Sequence, residues 1–372
     1  MTDTEETQDT EDTDGATTSR HLPATVAVGD RLVGTGHPVY VIAELSANHR
    51  HDLGVAKAIV AAASDAGADA VKLQTYTADT MTIDADTPPF RVGAGTLWSG
   101  RNLYDLYREA AMPWEWHGEL QAMANGLGLD LFSTPFDAGA VAFLDDLGTP
   151  AMKIASFELV DHELIRTAAA TGRPLIMSTG MATIEEIDEA VDAAAEAGAA
   201  GVVLLRCNSA YPAPIDEMDL RTISAMGERW SVPIGFSDHS LGTTAATAAV
   251  ALGASVIEKH LTLRRTDGGP DAAFSLEPHE FVALVEAVRE AEAALGSVRF
   301  GPSGHERASL AFRRSLFVVA DVAAGEALTR ENVRAIRPGD GLAPKHLDAV
   351  VGRIALAAIP RGTPLAWDLL AE

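Results

Sequence analysis

The sequence predicts an α/β protein, a (β/α)8 barrel followed by a small β-rich domain. Three observations carry that reading. A short apolar run, a polar residue at its end and a helix-length, alanine-rich segment recur eight times between residues 39 and 296. The remainder has short apolar runs and Gly and Pro turns but no long helical period. With 47% hydrophobic side chains, 372 residues can bury one large core and one small one.

The first segment, MTDTEETQDTEDTDGATTSR, is acidic, rich in threonine and free of aromatics. It cannot bury enough apolar surface to offset its conformational entropy, and residues 1–24 are expected to form a disordered tail. Residues 25–40, TVAVGDRLVGTGHPVY, alternate apolar and polar around Gly29 and Asp30, the pattern of a short hairpin. The eight apolar runs follow: VYVIAEL (39–45), AVKLQTY (70–76), LDLFST (129–134), AMKIAS (151–156), PLIMSTG (174–180), GVVLLRCN (201–208), VPIGFSDH (232–239) and VIEKHL (256–261). Helical segments such as TIEEIDEAVDAAAEAG lie between them, several ending in the glycine that helix C-termini favour. The expected organisation is a hairpin and barrel over 25–296, a linker over 297–309 and the β-rich domain over 310–372.

Composition excludes several functions. Asp and Glu number 53 against 28 Lys and Arg, a net charge of −25, and such a field repels nucleic acid. No apolar run approaches the ~20 residues of a membrane span and the polar N-terminus lacks a signal-peptide pattern, so the chain is expected to stay in the cytoplasm. The single cysteine, Cys207, permits no intrachain disulfide. Only five of the basic residues are lysines, and that scarcity beside an acidic excess fits a salt-rich cytoplasm, where counterions screen the self-repulsion.

Barrels of this class build their sites at the C-terminal ends of the strands. Those ends read Glu44 with Asn48 and His49, Lys72 with Gln74, Ser133 with Thr134, and Lys153 with Ser156 and Glu158. Then come Ser178 with Thr179, Asn208 with Tyr211, Ser237 with Asp238 and His239, and Glu258 with Lys259 and His260. All are expected to converge on one mouth. His239 and His260 end adjacent strands, where two imidazoles can share a metal and leave positions open for water and substrate. Lys72 and Lys153, with the hydroxyls of Thr134, Ser156, Ser178 and Ser237, form a cationic, donor-rich cradle suited to a phosphate and a carboxylate together. A nucleotide triphosphate is not expected, since no Gly-rich phosphate loop is present.

At these residues the chain resembles the sialic acid synthase family. VIAELSANHRHDLGVAKAIVAAASDAGADAVKLQTYTADT, FSTPFDAGAVAFLDDLGTPAMKIASFEL, PLIMSTGMA, CNSAYPAP, IGFSDHSLGTTAATAAVALGASVIEKHLTL and GPDAAFSLEPHEF agree with it in order and spacing. AELSANH, KIASFE, PWEWH and FSLE resemble the pseudaminic acid branch more than the neuraminate and legionaminate branches, which remain the alternatives. The C-terminal segment from RRSLFVV to AWDLL is similar to the antifreeze-protein-like (SAF) domain that ends the family's chains.

The resemblance implies a homodimer in which this domain is swapped onto the partner's barrel mouth and brings Arg337, of the IRPGDGL segment, to the sugar. It implies that Lys72, Gln74, Thr134, Lys153, Ser156, Ser178, Ser209 and Ser237 hold phosphoenolpyruvate. His239 and His260 would hold a divalent metal, Mn2+, and Glu158, Tyr211, Asp271 and Arg337 would bind an amino sugar. Glu44 and Glu258 are the implied acid–base groups. Two other readings are weighed against it: a Schiff-base aldolase on Lys153 or Lys72, and a non-catalytic carbohydrate- or ice-binding protein.

Overall fold

A computed structural model describes residues 22–371. The acidic tail lies outside the described residues up to position 21, while Leu22, near its expected end, already packs against the apolar cluster of the barrel. The chain divides into two compact units at Gly296/Ser297.

The first unit begins with the expected hairpin, β1 (Thr25–Val28) antiparallel to β2 (Arg31–Gly34). Eight parallel strands follow at the eight runs: β3 (Tyr40–Glu44), β4 (Ala70–Thr75), β5 (Asp130–Pro135), β6 (Met152–Ile154), β7 (Leu175–Ser178), β8 (Val202–Cys207), β9 (Ile234–Asp238) and β10 (Val256–His260). They close in chain order, with β10 paired to β3 at His260 and Glu44, so the sheet has no edge.

Strand geometry explains the sorting of side chains. Successive residues point to opposite faces of a strand. Ile42, Ala70, Phe132, Ile176, Val203 and Val256 pack together in one cluster, and their neighbours Val41, Val71, Leu131, Met177, Leu204 and Ile257 belong to a second cluster that includes the helices. Val26, Val28 and Val33 of the hairpin join the first cluster, so the hairpin supplies apolar side chains to the same core as the barrel strands. Burial of each such side chain contributes about 1.5–3 kcal/mol. Arg31 fixes the hairpin to Asp130 at 3.0 Å, and the same carboxylate accepts from the Tyr40 hydroxyl at 2.8 Å.

Local signals set the helix ends. Asp52, Asp137 and Thr183 accept backbone N–H bonds at the N-termini of the helices Leu53–Asp65, Ala138–Leu147 and Ile184–Ala197, and Gly148 and Gly198 end the last two in left-handed conformations.

The second unit pairs β11 (Ser315–Val318) with β12 (Val333–Ile336) around a core that includes Leu316, Val318, Leu328, Val350 and Leu365. Gly341 lies against β11 so closely that a Cβ would sit 2.3 Å from the Leu316 carbonyl oxygen, which admits only glycine. Arg337 follows β12, exposed to solvent, and is joined to Pro338 by a cis peptide bond. Among the described residues no helix is long and apolar enough to cross a membrane.

Candidate active site

A cavity of about 540 Å³ opens at the C-terminal ends of the barrel strands. Inward residues at the ends of β4 to β10 form its floor. Lys72 is buried between two carboxylates, in an ion pair with Glu44 and 3.7 Å from Glu258, and it donates to Thr134 at 3.2 Å. Burial alone would pull its ammonium down, but Glu258 and Glu44 hold it above the ordinary range.

Lys153 has no such carboxylate partner. It donates to the Ile154 carbonyl at 2.8 Å and to the Ser178 hydroxyl at 2.5 Å, and burial lowers it to about 8. An anion placed beside it would restore the charge that burial opposes. Ser156 and Ser209 close this side of the floor. The Gly180 N–H donates to Ser156 Oγ at 3.1 Å, and a Cβ at Gly180 would lie 2.2 Å from Ser209 Oγ. Only glycine lets both hydroxyls approach the backbone there.

On the opposite side, His239 and His260 stand with ring centroids 5.3 Å apart. His239 Nδ1 is 2.9 Å from the Asn208 carbonyl, which can only accept, so Nδ1 carries the proton and Nε2 of the neutral ring keeps its lone pair. Burial disfavours charge on His239, yet the neighbouring Cys207 thiol, 3.7 Å away, and Asn208 push it above the ordinary value. Cys207 is raised by burial but held at about 7 by His239, Ser156 and Lys153. His260 is kept well below the ordinary value by burial, then by His239, and is neutral. His260 Nδ1 and Glu258 Oε2 are buried without a hydrogen-bond partner. The two imidazoles, with Nε2 of His239 left free by the Asn208 bond and Nδ1 of His260 unpartnered, are donors of the kind that fit a divalent cation. Among the described residues no cluster of three or more His, Cys, Asp or Glu is placed for a metal, so the protein would supply few ligands and leave the rest to water and substrate.

The upper wall carries Glu158, Tyr211 and Asp271. Glu158 is raised to about 7 by burial, with one oxygen unpartnered. Asp271 is raised by burial and accepts from Ser46, whose hydroxyl also receives Gln74 Nε2 at 2.9 Å. The Tyr211 ring lies against that of His239, tilted by 41° with centroids 4.4 Å apart.

The expectation that every polar strand-end group converges on the mouth is corrected by the strand alternation. Asn48 donates outward to the Leu261 carbonyl and Ser275, His49 meets the Ala110 carbonyl, Ser133 bonds Thr75 outside the barrel, and Thr179 bonds the Leu205 carbonyl. Lys259 is paired with Asp238 in the layer behind the strands. Glu44 faces inward but sits behind Lys72 and does not line the cavity, whereas Glu258 does. Arg337 stands in the second unit. Ser46 and Cys207 line the cavity and were missed, although Ser46 lies inside the AELSANH motif and Cys207 ends a strand run. A set of apolar residues from 81 to 107 was missed as well; its signal was the long interval between the second and third apolar runs.

A closed (β/α)8 barrel with two buried lysines, paired histidines and a ring of hydroxyls at its strand ends defines a barrel enzyme for anionic small molecules. The chain belongs to the NeuB family: that family's model matches residues 59–300, and the SAF domain matches residues 313–371. It is 43% identical to the pseudaminic acid synthase of Helicobacter pylori, over 89% of this chain and 97% of that one. It is 35% identical to the N,N'-diacetyllegionaminic acid synthase of Legionella pneumophila, over 90% and 95%. The crystal structure of the N-acetylneuraminic acid synthetase of Leptospira borgpetersenii, in complex with citrate, superposes with a TM-score of 0.69 at 30% identity, covering 78% of this chain and 96% of that one.

Proposed function

We propose that the chain is a pseudaminic acid synthase, condensing phosphoenolpyruvate with 2,4-diacetamido-2,4,6-trideoxy-L-altrose to give a nine-carbon sugar acid and phosphate. The observation that carries the chemistry is one cavity with a lysine and hydroxyl cradle on one side and two imidazoles on the other. The similarity to pseudaminic acid synthases over nearly the whole length of those chains supports the choice of sugar.

Lys153, Ser156, Ser178 and Ser209 take the phosphate side, and Lys72, Gln74, Thr134 and Ser237 complete the hold on phosphoenolpyruvate. Fixed donors orient C3 toward the sugar aldehyde. A divalent cation held by His239 and His260, Mn2+ in this reading, supplies Lewis-acid polarisation of that aldehyde when bound. C3 bonds to the aldehyde carbon, whose oxygen takes a proton; water adds at C2 and the adduct expels phosphate by C–O cleavage. Glu258, on the cavity wall, and Glu44, behind Lys72, move the protons. Glu158, Tyr211, Asp271 and Arg337 of the partner subunit bind the sugar, in a domain-swapped homodimer that works in the cytoplasm.

The test is phosphate release with Mn2+ and high salt, offering the altrose, its legionaminate-pathway counterpart and N-acetylmannosamine in parallel. Turnover of the altrose alone, abolished by EDTA, supports the reading. Turnover of another sugar moves the product and keeps the chemistry. No turnover of any sugar refutes it. Lysine labelling by borohydride with pyruvate would instead establish the Schiff-base reading, for which the lowered Lys153 is the one favourable observation.

A further inference from the structure

Between β4 and the helix His117–Gly126 the chain makes a longer excursion than at any other unit of the barrel. It runs through the short helix Ala78–Met81 and the helix Leu103–Ala110, which pack on each other. Internal bonds make it a built element: Asn102 caps the second helix through Tyr104 N and Asp105 N, and its amide donates to the Ala85 carbonyl at 2.9 Å. Trp98 carries the excursion across the mouth. Its indole N–H donates to the Pro270 carbonyl at 2.9 Å, in the loop after β10, and its ring lies 5.6 Å from that of Tyr211, after β8. The segment is therefore an arch, rooted beside β4 and fastened on the far side.

The inner face of the arch differs chemically from the floor. Met81, Val92, Trp98, Leu103, Leu106 and Tyr107 line the cavity, with Thr96 as the one aliphatic hydroxyl. The segment also carries Asp79, Asp84, Asp86, Arg91, Arg101 and Arg108, yet none of them lines it. A sugar with its aldehyde at the floor and its polar groups on Glu158, Tyr211 and Asp271 turns its remaining, apolar end to this wall.

We infer that the arch is a specificity element that reads the deoxygenated end of the sugar, accepting a methyl group where most hexoses carry a hydroxyl. This deepens the proposed function and rests on it. A hydroxyl pressed against Val92 and Met81 loses water and finds no partner among the aliphatic groups. The wall is indifferent to stereochemistry at the carbons nearer the aldehyde, so it selects a class of sugars, the 6-deoxy acylated ones, and leaves the choice within that class to the polar groups.

The experiment compares kcat/KM for 2,4-diacetamido-2,4,6-trideoxy-L-altrose with that for the same sugar bearing a hydroxyl at C6. Wild-type protein is expected to prefer the deoxy sugar about 10²-fold, the discrimination that an apolar pocket achieves against an added hydroxyl. Val92→Ser and Met81→Gln, at half-buried positions, should each narrow the ratio at least tenfold, with the KM for phosphoenolpyruvate and the melting temperature unchanged. Equal use of both sugars by the wild type, or an unaltered ratio in both folded variants, overturns the arch while the synthase reading stands. Failure of both sugars to react refutes the synthase reading and the arch with it.

Discussion

Asp238 and Lys259 form an ion pair of 2.7 Å with neither side chain exposed, on the outer side of the two strands whose next residues are His239 and His260. Lys259 also donates to the Ser240 carbonyl, and Asp238 Oδ1 accepts from the Ser240 N–H at 2.8 Å, so the pair ties down the turn that follows His239. Removing one partner leaves an uncompensated charge in the layer behind the barrel. Lys259→Met is expected to cost about 3–5 kcal/mol in urea denaturation, and the double change Asp238→Leu with Lys259→Met should recover most of it. A double variant as unstable as the single one would contradict this account.

The affinity for phosphoenolpyruvate should depend on the charge of Lys153. Its folded value of about 8 is below the ordinary 10.5, so the fold disfavours the protonated form. That penalty on stability is fully present below about pH 8 and fades as the pH rises toward 10.5, whereas an anion needs the proton in place. Calorimetric binding should hold constant from neutral pH to about 8 and weaken above it, approaching tenfold per pH unit. Lys153→Met should abolish the inflection and lower affinity at all pH values.

Gly180 provides a steric test of the proposed phosphate side. A Cβ there would also lie 2.8 Å from Ser156 Oγ, so Gly180→Ala must displace one or both hydroxyls. The expected result is a KM for phosphoenolpyruvate raised at least tenfold, about 1.4 kcal/mol of binding, with the sugar KM little changed. Equal loss of both would place Ser156 and Ser209 elsewhere in the reaction.

Metal dependence should follow the two imidazoles. His260→Ala and His239→Ala are expected to reduce Mn2+ affinity in titrations followed by electron paramagnetic resonance and to lower kcat more than 10²-fold. Tight Mn2+ binding by the double variant would remove both histidines from the metal site.

Much of the barrel was legible because each strand was marked by its apolar run, and several also by the glycine that ends the preceding helix. Lys72, Lys153, His239 and His260 line the cavity because strand ends are where such barrels open their sites. Facing was harder. Lys259 and His260 are adjacent in sequence and lie on opposite sides of the sheet, and a strand buried on both faces offers no polar alternation to show which is which. Glu44 was placed at the mouth correctly in direction and wrongly in depth, since only coordinates reveal that Lys72 covers it. The arch escaped notice because its message lies in contacts from Trp98 to Pro270 and Tyr211, residues separated from it by more than a hundred positions.

The alternation that separates Glu258 and His260 from Ile257, Lys259 and Leu261 also guards against inactive copies. A slip of β10 by a single residue would carry both chemical groups out of the mouth and drive an ammonium and two aliphatic chains into it. The same slip would expose the seam that holds the helices and strand the Asp238 charge. Loss of activity and loss of foldedness are thus one event at this strand. A mispaired chain would be cleared by proteolysis as an unfolded protein, and would not persist as a well-folded decoy competing for substrate.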